Sequence, residues 1–297
     1  MDVRNTLTMI SLAAIWGGSF LFLRMAAPVV GPFVVAASRL CGAALLLLPL
    51  VVYRGDLASI RRHRGALLLG GMLSSGLPFI GLSLAAKQLP AGLMSILNAT
   101  TPMWGAMIGW AWHGERLHPA RMAGLGVGLA GVVLLASGAS ASASDAFPLG
   151  AWALMLASTM SYAFFAHYAR TYLQSLNPIS NTVGTLGLSG LVMLLPALYW
   201  GPHGAIHDVQ VSHWHEVPHI TWLALSALSF VCTGLAYMVF YRLLDQIGPT
   251  RALTVTFLIP VFGMLWGALL LSEQVTARMV ASAGVIAAGT WLANRPA

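Results

Sequence analysis

The sequence predicts an all-α membrane protein in which ten transmembrane helices form two inverted-topology five-helix repeats around a central cavity. Three observations lead to this fold class: an apolar composition, an internal duplication and a one-sided distribution of basic residues. Hydrophobic residues make up 58% of the 297 positions and charged residues only 8%, whereas soluble proteins carry about 25% charged residues. A soluble chain with so few charges would have too few polar side chains to cover its surface. A bilayer removes that requirement.

Ten apolar segments are long enough to be membrane spans, since crossing roughly 30 Å of hydrocarbon takes about 20 residues. None of them shows the period-two alternation of a barrel strand. The predicted spans lie near residues 5–25, 32–53, 66–86, 91–112, 120–137, 148–168, 179–200, 220–243, 249–271 and 276–293. The first is interpreted as a retained span, because further apolar sequence and no cleavage pattern follow Gly17, Gly18 and Ser19.

A fourteen-residue pattern occurs twice, 158 residues apart. It consists of Pro102, Gly105, Gly109 and Glu115 in the first copy and of Pro260, Gly263, Gly267 and Glu273 in the second. The Ser/Ala/Gly run 137–145 between them is typical of a flexible linker. We therefore expect two repeats, residues 1–139 and 148–297, of five helices each. Because five is odd, the second repeat inserts upside down, and transporters built in this way hold their substrate at the repeat interface.

Basic residues set the predicted orientation. With a cytoplasmic N-terminus, eleven Lys or Arg residues lie inside and three lie outside, while Arg39 falls within a span. This bias follows the positive-inside rule and predicts that both termini are cytoplasmic. The net charge of +7 is thus a topology signal, and the expected macromolecular surroundings are a lipid bilayer, with no nucleic acid.

Several positions predict irregular or closely packed helices. Glycines four residues apart, as in Gly105 and Gly109 or Gly124 and Gly128, allow two helix backbones to approach closely. Interruptions are expected at 17–19, at 74–78 and just before Pro102, near the midplane where transporter sites with broken helices lie. Glu115 and Glu273 precede the next helix of their repeat, where a carboxylate favours the helix N-terminus; we interpret both as structural.

Aromatic and polar side chains cluster at similar depths and predict a cavity for a flat or amphipathic organic molecule. A Tyr or Trp away from the interface needs a partner for its polar tip, which a cavity provides. Arg39 could attract a substrate carboxylate, or it could snorkel or bond loop carbonyls. Packing within the bundle is the alternative for each of the others. The candidate substrate-binding residues are Trp16, Phe79, Asn98, Thr101, Tyr162, Phe165, Tyr237, Tyr241 and Arg39.

The distribution of chemistry-bearing residues narrows the function class. None of the eight acidic residues falls in the middle of a predicted span, which favours facilitated diffusion or exchange over a proton-coupled mechanism with a buried carboxylate. No nucleotide-binding glycine motif is present, and no cofactor is expected. The two cysteines, Cys41 and Cys232, lie inside predicted spans and are interpreted as small buried residues.

One motif supports an alternative function. His215-Glu216-Val217-Pro218-His219 matches H-E-x-x-H, in which two histidines on one helix face bind zinc beside a glutamate base. A membrane-embedded zinc hydrolase is therefore the rival hypothesis. However, Pro218 separates the two ligands and is tolerated only in a first helical turn. No metal site is therefore expected. A sensor or structural subunit without transport is a third possibility.

The chain resembles the EamA type of the drug/metabolite transporter superfamily over nearly its whole length. The resemblance rests on 16–20 in the first span, on 38–40 in the second, and on the paired stretches that follow Glu115 and Glu273. It implies a ten-helix basket with a cavity lined by helices 1, 3, 4, 6, 8 and 9 and backed by helices 5 and 10. The expected function is export of amino acids or similar metabolites, aromatic amino acids among them, across a bacterial inner membrane by alternating access. The expected protein is a transporter and not an enzyme.

Overall fold

The computed structural model describes residues 2–114, 119–139, 148–201, 213–248, 252 and 254–293. Within these ranges the secondary structure is helical and contains no strand. Five of the described helical segments are long and apolar enough to cross a bilayer, judged by length and composition. The helices are α1 (Val3–Arg54), α2 (Leu57–Arg62), α3 (Arg64–Gly71), α4 (Leu77–Ala85), α5 (Ala91–Asn98), α6 (Thr101–His113), α7 (Pro119–Ala139), α8 (Leu149–Tyr172), α9 (Pro178–Tyr199), α10 (His219–Ser226), α11 (Ala236–Ile247), α12 (Val255–Leu271) and α13 (Ala277–Ala293).

Helix α1 contains the first two predicted spans. Its helical dihedrals are broken at Gly31, where φ is 81° and ψ is 166°. A positive φ favours glycine, and Pro32 disfavours helical dihedrals in the residue before it. The predicted connection at 26–31 is therefore much shorter than a loop, and the two helical parts of α1 meet in a kink at this residue.

Two π-helical segments interrupt the third and eighth predicted spans. Met72–Gly76 joins α3 to α4, and Ala227–Leu235 joins α10 to α11. Adding the repeat offset of 158 to the first segment gives 230–234, which lies inside the second. Pro78 has no proline counterpart at Ala236, so proline is not required for this irregularity. The interruption expected at 74–78 is present, and its repeat equivalent is interrupted too.

The fourth predicted span is also broken near its middle. Helix α5 ends at Asn98, and α6 begins at Thr101. The Thr100 hydroxyl donates to the Leu97 carbonyl and the Thr101 hydroxyl to the Asn98 carbonyl, both at 2.7 Å. Pro102 has no N–H to donate to the Asn98 carbonyl, and the Thr101 hydroxyl donates there instead. The Leu97 carbonyl also accepts from the backbone nitrogen of Thr100 at 3.1 Å. The break expected just before Pro102 is present.

The interruption expected at 17–19 is wrong, because α1 is helical through these residues. Gly17 instead marks the crossing of α1 with α12. A Cβ at Gly17 would lie 2.7 Å from the Cβ of Phe262 and 2.9 Å from the Gly263 nitrogen. The missing side chain therefore allows two helices from opposite halves of the chain to touch.

Helices α7 and α13 pack closely on each other, also across the two halves. A Cβ on Gly124 or Gly289 would overlap the backbone of the facing helix. The packing role predicted for Gly124 and Gly128 is therefore confirmed. For Gly105 it is wrong: no described atom lies within 4 Å of a Cβ placed there.

Candidate functional site

A cavity of about 300 Å³ lies between the two halves of the chain. Its size is at the lower end of small-molecule sites, which span about 300–1,000 Å³. Helices α1, α4, α5, α6, α8, α11 and α12 and both π segments contribute side chains to its wall. Helices α7 and α13, the counterparts of the predicted backing helices 5 and 10, contribute none.

Eight of the nine residues predicted from the sequence line this cavity. They are Trp16, Arg39, Phe79, Asn98, Thr101, Tyr162, Phe165 and Tyr237. Tyr241 does not. Its ring stacks on that of Tyr237 with centroids 6.1 Å apart, and its hydroxyl is hydrogen-bonded to that of Thr182 on α9. The placement of Tyr241 in the cavity wall is therefore wrong.

Three polar side chains in the wall remain available to a ligand. Those of Asn98, Tyr162 and Tyr237 form no hydrogen bond with any residue that the structure describes. The Thr101 hydroxyl, by contrast, donates to the Asn98 carbonyl. Asn98, which ends α5 at the helix break, is thus a better candidate for contacting a ligand than Thr101.

Aromatic rings form the apolar part of the wall. Trp16 and Phe240 pack with centroids 5.3 Å apart and planes inclined at 56°. Trp104, in the fourth predicted span, is not among the described residues that line the cavity; its indole nitrogen donates to the Thr159 hydroxyl at 3.1 Å. A cavity with several rings and a few polar groups is suited to an amphipathic organic molecule.

Arg39 provides the positive charge of the cavity. It lies in the half of α1 that follows Gly31, and only 7% of its surface is exposed. Its Nε donates to the Thr233 hydroxyl at 2.8 Å, and its Cζ lies 3.9 Å from the centroid of the Phe79 ring. Arg39 therefore neither snorkels to the interface nor bonds a loop carbonyl, which were the alternatives left open by the sequence.

Nine further described residues line the cavity. They are Ser19, Phe20, Ser74, Leu82, Cys232, Thr233, Phe240, Thr256 and Ile259. The sequence contains a signal for Thr233, because this residue is the repeat counterpart of Ser75, which lies in the predicted interruption at 74–78. Phe20 and Ile259 had none, since an apolar residue in a span has the same pattern whether it faces a cavity or a neighbouring helix.

Glu273 connects the two halves at one end of the bundle. Its carboxylate accepts hydrogen bonds from the backbone nitrogens of Ala91 (2.9 Å) and Gly92 (3.3 Å), and it lies 3.5 Å from Nε of Arg24. Arg24 also donates to the Ala86 carbonyl at 2.9 Å. The predicted structural role holds, but the helix that is capped is α5 of the other half and not the helix that follows Glu273. Glu115 lies outside the described residues.

The H-E-x-x-H motif does not form the geometry of a zinc site. Trp214–Glu216 is one 3₁₀ turn, Val217 is extended, and α10 begins only at His219. The two histidines therefore do not share a helix face. The described residues contain no group of three His, Cys, Asp or Glu side chains placed to hold a metal, while His203 and His207 lie outside them.

The duplicated helical architecture and its cavity are those of a membrane transporter, and comparison with protein families gives the class. The EamA-like transporter family matches residues 5–137 and 149–295, so the chain belongs to this family of the drug/metabolite transporter superfamily. The match falls on the two halves that the repeat delimits.

Relatives extend over almost the whole chain at low identity. A probable amino-acid metabolite efflux pump of Escherichia coli is 25% identical over 98% of this chain and 95% of its own length. The protein of that name from Salmonella typhimurium is 27% identical, covering 95% and 91%. A WAT1-related chloroplast protein of Arabidopsis thaliana is 27% identical over 95% of this chain and 67% of its own.

A solved protein crystal structure has the same fold. Its TM-score to this chain is 0.64 at 20% sequence identity, and the match covers 99% of this chain and 97% of that one. At this identity the likeness shows the fold alone. Equivalence to the aromatic amino-acid exporter YddG stays a prediction.

Proposed function

We propose that this protein exports small amphipathic metabolites across a bacterial inner membrane, with amino acids as the substrate class and aromatic amino acids as the first members to test. The main support for this proposal is the cavity between the two halves, whose wall combines aromatic rings, three available polar side chains and one cation. The names of the Escherichia coli and Salmonella relatives agree with this substrate class.

The proposed architecture is ten transmembrane helices in two inverted repeats, residues 1–139 and 148–297, with both termini cytoplasmic. Transport then proceeds by alternating access, as one set of helices rocks around the cavity. The nine predicted residues, with Tyr241 removed, form the proposed substrate site. The helices beside the cavity are irregular at Ala99–Thr100 and in the two π segments. Irregular backbone of this kind is typical of substrate sites in transporters.

Uncoupled movement, by facilitated diffusion or exchange, is the proposed mechanism. The described residues that line the cavity include no Asp, Glu or His. A proton-coupled carrier commonly has one of these groups at its site.

Uptake into liposomes tests the function. Purified protein in liposomes without a pH gradient is expected to take up labelled aromatic amino acids with saturable kinetics. Phe79→Ala, Asn98→Ala and Tyr162→Ala are expected to reduce uptake at least tenfold, the loss that follows from about 1.4 kcal/mol of binding energy. Phe164→Ala is the matched control, because Phe164 is on α8 beside Phe165 but is 38% exposed and contacts Trp112.

The outcomes separate the parts of the proposal. Uptake that none of the three substitutions reduces, with expression intact, would reject the site. No movement of any amino acid, with or without an imposed gradient, would reject the substrate class and leave the family assignment.

A further inference from the structure

We propose that Arg39 binds a carboxylate of the transported molecule, so that the cavity selects carboxylate-bearing ligands over the corresponding amides and amines. This inference deepens the proposed function and rests on it, because it assumes that the cavity is the substrate site. Its chemical basis is a buried guanidinium with no carboxylate beside it among the residues that the structure describes.

The geometry of Arg39 leaves its two terminal nitrogens for a ligand. Nε is held by Thr233, and the guanidinium plane lies against Phe79. Within the described part of the chain, Arg39 forms no other hydrogen bond and no ion pair. A guanidinium with free terminal N–H groups presents the fork that binds a carboxylate through two parallel hydrogen bonds.

The charge of Arg39 has no counterion among the described residues. The ionisable groups that interact with it are Tyr162, Cys232 and Tyr237, and phenols and thiols are largely neutral at pH 7. Glu273, the acid that pairs with an arginine elsewhere in the structure, is engaged by Arg24. A buried unpaired charge is unfavourable, so an anion entering the cavity gains the interaction that the protein itself does not supply.

Thr233 is the positioning residue for this charge. Its hydroxyl donates to the Leu228 carbonyl, five residues earlier in the second π segment, at 2.8 Å. The hydroxyl proton is thereby committed to the backbone, so the oxygen accepts from Nε of Arg39. The π segment thus fixes the direction in which the terminal nitrogens point.

The internal repeat shows that this charge is not part of the shared architecture. At the offset of 146 that relates the first two spans of each half, Arg39 corresponds to Thr185. The Thr185 hydroxyl donates to carbonyls of its own helix, at Asn181 and Thr182. The two equivalent positions of the duplicated fold therefore differ: Arg39 carries a cation, whereas Thr185 carries a hydroxyl that bonds its own helix.

No described acidic side chain lines the cavity to hold an ammonium group. The amine of an amino acid then has only ring faces and neutral oxygens as partners, whereas its carboxylate has Arg39. We therefore expect the carboxylate to be required for binding and the amine to be dispensable.

Four ligands that share a phenylpropanoyl skeleton separate the contribution of the carboxylate from that of the amine. They are L-phenylalanine, L-phenylalaninamide, 3-phenylpropanoate and 3-phenylpropanamide. Titration calorimetry on the detergent-purified full chain, at fixed chloride concentration, gives the four affinities. Each carboxylate is expected to bind roughly ten- to a hundredfold more tightly than its amide, the range of hydrogen bonds to a charged group. Phenylpropanoate is expected to bind at least as well as phenylalanine.

Variants assign the selectivity to Arg39. In Arg39→Gln the carboxylate-to-amide affinity ratio is expected to fall to about one, and in Thr233→Val to an intermediate value. Arg24→Gln, the matched control, removes an arginine that holds a protein carboxylate outside the cavity and should leave the ratio unchanged. If Arg39→Gln does not fold, the Thr233→Val ratio decides.

Equal affinity of wild type for a carboxylate and its amide, or an unchanged ratio in Arg39→Gln, would overturn the proposal. So would binding of none of the four ligands. The exporter function is decided separately by the liposome assay, because transport that does not depend on a carboxylate would leave that function intact while removing the role of Arg39.

Discussion

Tyr237 and Tyr241 lie one helical turn apart on α11, and their rings stack, yet their hydroxyls have different surroundings. Tyr237 lines the cavity, whereas the hydroxyl of Tyr241 pairs with Thr182 across the α9–α11 contact. Residues four apart share one helix face, so sequence alone cannot separate them. Only the position of α9 decides which of the two phenols reaches the cavity.

The Tyr241 hydroxyl is expected to contribute to stability and not to transport. Tyr241→Phe should lower the free energy of unfolding by about 0.6–1.7 kcal/mol, the value of side-chain hydrogen bonds between membrane helices. Thermal unfolding in detergent measures the loss. A double-mutant cycle with Thr182→Val supplies the control: strictly additive losses, or a reduced rate of uptake by Tyr241→Phe, would contradict the assignment.

For the remaining site residues, the sequence predicts that the side chains face a cavity, but it does not predict which residues they contact. A tryptophan, an amide and two tyrosines at midplane depth indicated a cavity, because their polar atoms need partners that lipid lacks. The role of Thr233 could not be predicted, since a hydroxyl in a span usually bonds its own helix. It became visible only when the π segment placed it beside Arg39.

The crossing of α1 and α12 at Gly17 is a close steric contact between elements of opposite halves. Gly17→Ala is expected to destabilise the protein by about 1–3 kcal/mol, as overpacking does, despite the better helix propensity of alanine. Gly105→Ala is the matched control, because no described atom lies within 4 Å of its Cβ position. That variant should be neutral or slightly stabilising. Equal melting temperatures for the two variants would refute the close crossing.

Glu273 is expected to stabilise the junction between α12 and α5. Glu273→Gln removes the charge that two backbone amides and Arg24 share, and we expect a loss of about 1–2 kcal/mol, typical of an N-cap. Asp245→Asn is the control, since Asp245 is exposed and forms no ion pair with a described residue. Unfolding curves of the two variants that coincide would argue against the cap.

The length of the apolar segments predicts where the helices lie. The same sequence predicts only some of the breaks and irregular turns within those helices. Proline indicated the breaks near Pro78 and Pro102 correctly. The glycines at 17 and 18 predicted a break that does not exist, because glycine serves both flexible backbone and close packing. The second π segment has no proline, so nothing local distinguished it from regular helix; only its repeat partner pointed to it.

For the molecule as a whole, the proposed inverted repeat predicts that matched positions of the two halves lie on opposite sides of the membrane. Gln88 and Gln246 are 158 residues apart and both exposed. In a chain with Cys41 and Cys232 replaced by alanine, Gln88→Cys should react with a membrane-impermeant maleimide added to intact cells. Gln246→Cys should react only after the membrane is permeabilised, because the proposed inversion of the second repeat places it on the cytoplasmic side.

Labelling of both cysteines from the same side would reject the inverted topology. At this scale the sequence makes its most specific prediction, since the positive-inside count and the odd number of spans per repeat together predict the orientation of both halves. Which helices meet across the repeats, such as α7 with α13, depends on three-dimensional packing and could be expected only from the family resemblance.

The cap on α5 also bears on how the protein is made. Glu273 follows Ala91 by 182 residues, which at about 5–20 residues per second takes the ribosome roughly 10–40 s. During that interval α5 has been synthesised but its first amides lack their carboxylate. The first half is therefore synthesised before the carboxylate that caps α5, and its assembly is completed only when the second half has been made.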